Sequence, residues 1–255
     1  MKTIIKYTLI TASRDWLFIG LGAVVFMAYC MSVFTGSTAL VEESQMSLSY
    51  FAGSSRVVLT VGLIVFVCFH VRRSFENREV EAVLSKPVSR VQFVVAYWMG
   101  FSFLSFIATL PVLLIIVLLN KPDMLGLFYW GISLFFEISI TVAFAMLSAL
   151  IMKSAVGSVL SSFSFYLISR LMGFFIMAMD NPTSLMKDGK FSFIWEGMMK
   201  IISTIIPRFD LFAKSEWLIY GVQDQKDLWV FPVQFAAYIS LLLAVSVFDF
   251  KRKQF

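Results

Sequence analysis

The chain has 255 residues, of which 59% are hydrophobic and 28 are phenylalanine; its mean hydropathy is +0.85 and its formal net charge +5. That is more apolar surface than a single water-soluble core absorbs, so the composition points to an integral membrane protein. One histidine, and two cysteines (Cys30 and Cys68) that both lie inside apolar runs, provide neither a metal cluster nor a disulfide framework, and the Lys and Arg placed between apolar runs argue against nucleic acid as a partner.

The N-terminal "MKTIIKYTLITASRDW" begins with the charge pattern of a secretory leader, but Arg14 and Asp15 interrupt it and no small-residue cleavage site follows, so it is expected to be retained. Residues 3–12 are expected to form an amphipathic helix in the membrane interface, part of an interfacial segment 1–15 with Lys2, Lys6 and Arg14 facing water. A helical span needs roughly 20 apolar residues. Six runs qualify, at 16–34, 51–71, 93–119, 125–152, 155–179 and 228–248. Arg56 is expected at the outer end of the second, and His70 at its inner end as an interfacial residue. Pro111 is expected to kink the third, with Thr109 or a neighbour satisfying the carbonyl it frees.

Lys2, Lys6, Arg14, Arg72, Arg73, Arg78, Lys86, Arg90, Lys153, Lys251, Arg252 and Lys253 fall on one side of a six-span arrangement, which places both termini in the cytoplasm of a plasma or inner-membrane protein. The cytoplasmic segment 72–90 then lies between spans two and three, and a long outer-face segment, 180–228, between spans five and six. In the latter, "FIWEGMMKIISTIIP" has amphipathic spacing, and Trp195, Trp217 and Tyr220 suit short helices at the outer leaflet.

Three groups of residues invite a functional reading. "ENREVEAVLSKPVSR" (Glu76–Arg90) interleaves Glu and Arg, adds an apolar edge at Ala82, Val83 and Leu84, and breaks at Ser85–Pro87. Either it docks another protein or it is a basic loop that only fixes topology. Glu137 in span four and Arg170 in span five fall at similar depth, as a structural ion pair or as the polar wall of a path. Gly157, Ser158, Ser161, Ser162 and Ser169 line one face of span five, for packing within the subunit or against a partner or path.

"ENREVEAVLSKPVSRVQFVVAYWMG" (Glu76–Gly100) resembles the segment between spans two and three of ABC-2-type transporter permeases. "KTIIKYTLITASRDWLF" is similar to that family's amphipathic N-terminal helix with its Arg-Asp end, and "IIPRFDLFAKSEWLIYG" (Ile205–Gly221) to its outer motif of proline, Asp-Leu-Phe and Tyr-Gly. With six spans in the same orientation, the resemblance covers essentially the whole chain. It implies an all-α, single permease domain over residues 1–255 that pairs with a second permease copy, as a homodimer or heterodimer, within membrane lipid. It also implies docking on a separate ABC ATPase subunit that carries the ATP and Mg, so that no cofactor or catalytic residue belongs to this chain. The family's coupling helix maps onto Glu76–Leu84, with Glu79 and Glu81 as acidic contacts, Arg78 second, and Glu76, Val83 and Leu84 completing the surface. The chain departs from the pattern at Ala96 and Tyr97, where many members carry Gly-Lys, and at Val80-Glu81-Ala82, where a Gly-Thr is common.

The expectation is therefore the transmembrane subunit of an ABC-2-type exporter. Three rivals stand beside it: a membrane enzyme, thinly supported by one Glu–Arg pair; a gradient-driven transporter, for which no inverted repeat is found; and an ABC-type mechanical unit acting on a surface partner.

Overall fold

The computed structural model describes residues 2–38, 42–80, 89–119, 122–180, 202, 205–222 and 227–252. Among them the chain is all-helical. In order it forms α1 (Lys2–Ser13), α2 (Trp16–Ser37), α3 (Glu43–Glu76), α4 (Arg90–Leu119), α5 (Met124–Ile151), α6 (Ala155–Asp180), a 3-10 turn (Phe209–Leu211), α7 (Glu216–Tyr220) and α8 (Asp227–Arg252). Six of these, α2 to α6 and α8, are long and apolar enough to cross a membrane. In a low-dielectric slab such helices close their own backbone hydrogen bonds, which is why apolar runs of this length fold this way.

The helices are not equivalent. In α3 and α5, 61% and 78% of the most apolar stretch is buried within the chain, against 17% to 33% in the other four. These two form the centre: α3 packs on α2, α4, α5 and α6, and α5 packs on α4, α6 and α8. Close approach is built from small residues. A Cβ on Gly36 would lie 2.9 Å from Ser47 Cβ and 3.1 Å from the Glu43 carbonyl oxygen, so α2 and α3 meet closely there, and one on Gly62 would lie 2.0 Å from Leu21 Cδ1, whose side chain would have to turn away. Ring stacking completes the outer joints: Phe144 on Phe165 at 4.0 Å, Phe136 on Phe235 at 4.1 Å, and Phe93 on Phe250 at 5.1 Å between ring centres.

Helix ends are capped by identifiable side chains. Asp15 accepts from Leu17 N at the start of α2, and Asp123 accepts from Gly126 N at the start of α5. Arg90, the last residue of the "KPVSR" stretch, donates to the carbonyls of Phe250 and Lys251 at 3.2 and 2.9 Å, so its guanidinium satisfies the end of α8.

The structure defines the surroundings of Arg56, His70 and Thr109. The second span begins earlier, at Glu43, so Arg56 lies well inside α3 and is buried. His70, six residues before the end of α3, is also buried within the chain, ringed by Phe66, Phe101, Tyr97 and Tyr7. The helix containing Pro111 runs unbroken, and the Thr109 hydroxyl donates to Phe106 O rather than to Ile107, whose carbonyl the proline leaves without its usual donor. Most of the amphipathic stretch expected at 193–207 lies outside the described residues.

Candidate functional site

Between α6 and α8 the chain turns back into the bundle. Residues 205–222 form a hook whose backbone is not regular helix through Pro207–Ser215. Its depth is set by Ala213, whose N–H donates to the Ser133 hydroxyl at 2.9 Å, nine residues into α5. At about 1.5 Å per residue that is some 13 Å below the helix start. Irregular backbone so deep in an apolar bundle requires that its polar groups find donors inside the protein.

Three side chains supply them. Arg56 donates from Nη1 to Ala213 O at 2.7 Å, and Trp130 donates from Nε1 to the same carbonyl at 3.1 Å. Arg170 donates from Nη1 to the carbonyls of Phe209 and, at 3.4 Å, Phe212. Apolar packing seats the hook further: Phe209, Phe212, Ala213 and Leu218 are buried, and Phe209 contacts Phe165, Tyr166 and Phe212 through ring faces and edges. Ala213 has φ +44°, a left-handed conformation that costs a non-glycine residue about 1 kcal/mol or more. The three hydrogen bonds on its peptide groups hold it there.

Two glycines let the hook close on its neighbours. A Cβ at Gly126 would lie 1.8 Å from the Trp217 carbonyl oxygen, and one at Gly173 would lie 2.7 Å from Asp210 Cβ. Asp210 is itself held by Arg208 at 2.8 Å.

The sequence-predicted pair is brought together within this assembly. Arg170 Nη1 lies 4.0 Å from Glu137 Oε2, and Glu137 is fully buried. The same Arg170 nitrogen bonds the hook carbonyls, and neither Glu137 oxygen has a hydrogen-bond partner among the described residues. Arg170 of α6 is thus the ion-pair partner of the Glu137 carboxylate on α5 among the described residues, with Arg56 of α3 within electrostatic reach, and each cation also binds hook backbone. Trp130 and Ser133 were not picked out by sequence reasoning, and Arg56 was noted only as a span boundary, because their partners are backbone atoms rather than complementary side chains.

The small-residue face of α6 divides. Ser158, Ser162 and Ser169 are buried inside the chain's own bundle, while Gly157 and Ser161 are half-buried. Ser162 lies 2.8 Å from Ser148 of α5 and 3.8 Å from Cys68 of α3, so this face joins the two central helices.

At the opposite end of the bundle α3 stops at Asn77, and Arg78 adopts φ +55° before helical geometry resumes at Glu79 and Val80. Glu76 is exposed and pairs with Arg72 at 3.1 Å, and Arg78 is exposed. Glu79 is half-buried: it accepts from the Tyr7 hydroxyl of α1 at 3.0 Å and from Asn77 Nδ2 at 3.4 Å, and Val80 beside it is buried. Burial, the Glu79 hydrogen bond and the Glu79 charge together hold the Tyr7 phenol above its ordinary value of 10.0, keeping it a donor throughout the neutral range. Glu81, Val83 and Leu84 lie outside the described residues.

Comparison with protein-family models and with curated proteins finds no match for this chain.

Proposed function

We propose that this chain is the transmembrane subunit of an ABC-2-type transporter, with both termini and the 72–90 segment in the cytoplasm of an inner or plasma membrane. A separate ATPase subunit supplies ATP binding and hydrolysis with Mg, a second permease copy completes the pathway, and the direction is export. In this reading α1 lies in the interface, and Glu76–Leu84 is the coupling helix.

The observation that carries the reading is the join at the end of α3. A docking element transmits force only if it is tied to the spans. Here Glu79 is hydrogen-bonded to Tyr7 of α1 and Val80 is buried, while Glu76 and Arg78 remain exposed. A load applied to the exposed side would reach α3, the more central of the two helices it touches, and α1 together. Well inside the other half of α3, Arg56 holds the hook, so tilting α3 would act on the hook carbonyls. In this account the Glu137–Arg56–Arg170 group is a structural clamp that makes hook and bundle move as one body.

The test is purification of the chain from its native membrane in mild detergent, followed by identification of co-purifying proteins. The reading expects a P-loop ATPase that is released by Glu76→Lys with Arg78→Glu while the melting temperature of the membrane subunit holds. Retention of the ATPase by that variant would move docking elsewhere on the chain.

A further inference from the structure

The cytoplasmic segment 72–90 is fastened to the bundle at its start by the α3 join and at its finish by the first turn of α4. There "SRVQ" (residues 89–92) forms a reciprocal cap: the Ser89 N–H donates to Gln92 Oε1 and the Gln92 N–H to Ser89 Oγ, each at 3.2 Å. The cap fixes the turn that carries Arg90.

Arg90 bridges from that turn to α8. Its guanidinium donates to the carbonyls of Phe250 and Lys251, in the last turn of α8, where a helix runs out of its own donors. One turn further along α4, Phe93 stacks on Phe250 with the ring planes 7° apart, and both rings are buried. A charge-assisted hydrogen bond beside a buried stack makes the contact stiff as well as specific.

α8 carries this contact to the hook. Phe231, 19 residues before Phe250 and so about 28 Å away along the helix, is buried against Phe212 and Trp217. α3 is built on the same scale, with Arg56, which holds the Ala213 carbonyl, 20 residues or about 30 Å from Glu76. Both helices pack on α5. A hook attached to both would be sheared between Arg56 and Phe231 if α3 alone moved.

We infer that Arg90 is a positioning residue that ties the coupling segment to α8, so that a load on the segment reaches the hook through two helices. Packed helices anchored at both ends are a physical route for such coupling. The inference rests on the permease reading, because the load it concerns is delivered by an ATPase.

The test uses the full chain in complex with its co-purified ATPase. Arg90→Met removes the donor and keeps the aliphatic length. It should bind the ATPase in the wild-type ratio, with ATPase activity at least about fivefold lower, the low end of coupling between distant sites. Arg90→Lys keeps a charged donor and should recover most of that activity; since Lys and Met are of similar length, the recovery reports the donor rather than packing. Phe250→Leu loosens the stack and leaves the carbonyls in place, so activity should fall by less, and this variant carries the test if Arg90→Met does not fold. Arg252→Gln, which removes a neighbouring charge, should leave activity unchanged. Wild-type activity in Arg90→Met, or in Phe250→Leu where the first variant does not fold, overturns the inference, as does equal loss in Arg90→Met and Arg90→Lys. Release of the ATPase by Arg90→Met at unchanged melting temperature overturns it too, since Arg90 would then be a docking contact. Absence of any ATPase from the wild-type preparation contradicts the permease reading itself, and the inference falls with it.

Discussion

Replacing Arg56 by Met tests the claim that the hook is clamped rather than merely packed. Methionine keeps much of the aliphatic length and removes the charged donor, so the Ala213 carbonyl retains only Trp130, and the fully buried Glu137 retains only Arg170 at 4.0 Å. A hydrogen bond from a charged donor contributes about 1.5–3 kcal/mol. Leaving a buried charge with one partner fewer raises the cost towards the roughly 3–5 kcal/mol seen when buried ion pairs are broken. These effects share atoms and do not add, so about 3–4 kcal/mol is expected. At about 2–4 °C per kcal/mol for a chain of this size, the melting temperature in detergent should fall on the order of 10 °C. Limited trypsin digestion gives the local readout, since Arg208 and Lys214 lie on the hook and should be cut first in the variant. Arg56→Lys, which keeps the charge on a shorter reach, should lose less than half as much. A Met variant that melts within about 1 °C of the wild type, with Arg208 and Lys214 still protected, would refute the clamp.

Other outcomes follow from the same geometry. Gly126→Ala places a methyl 1.8 Å from a backbone oxygen of the hook, so it should destabilise by about 1–3 kcal/mol and increase cleavage at Lys214. Ala213→Gly removes the left-handed penalty and adds unfolded-chain entropy, so thermal melting should be unchanged or up to about 1 kcal/mol more stable, whereas Ala213→Val should be clearly destabilised. Tyr7→Phe removes one exposed hydrogen bond, so melting should move by no more than about 1 kcal/mol. Under the proposed function that variant still binds its ATPase, but stimulated ATPase activity falls; full stimulation would detach Tyr7 from coupling.

Much of the bundle was legible because membrane spans announce themselves by length: an apolar run long enough to cross has little choice but to be a helix. The failures have a common cause. Reading apolar runs treats a charge as a boundary, which put Arg56 at a helix end, whereas its compensation comes from a carbonyl 157 residues away. The same rule missed Glu43–Tyr50 as part of α3. That stretch is too polar to register as a span, yet Ser47 and Leu48 are buried, and Ser47 meets Gly36 of α2. Glu137 and Arg170 were found because two opposite charges inside apolar runs are conspicuous; Trp130 and Ser133 were not, because a side chain whose partner is backbone leaves no second residue to look for. The Asp-Leu-Phe stretch was noticed as a motif, but nothing local to it says that Phe209, Phe212 and Ala213 turn into the bundle.

The most direct test of the account is whether a separate P-loop ATPase accompanies this chain when it is purified gently from its own membrane. The account predicts that it does, in a complex whose ATPase is released when Glu76 and Arg78 are charge-reversed while the membrane subunit keeps its melting temperature. Absence of any ATPase under every mild condition, with the chain folded and intact, would contradict the transporter reading and favour a unit that works without one.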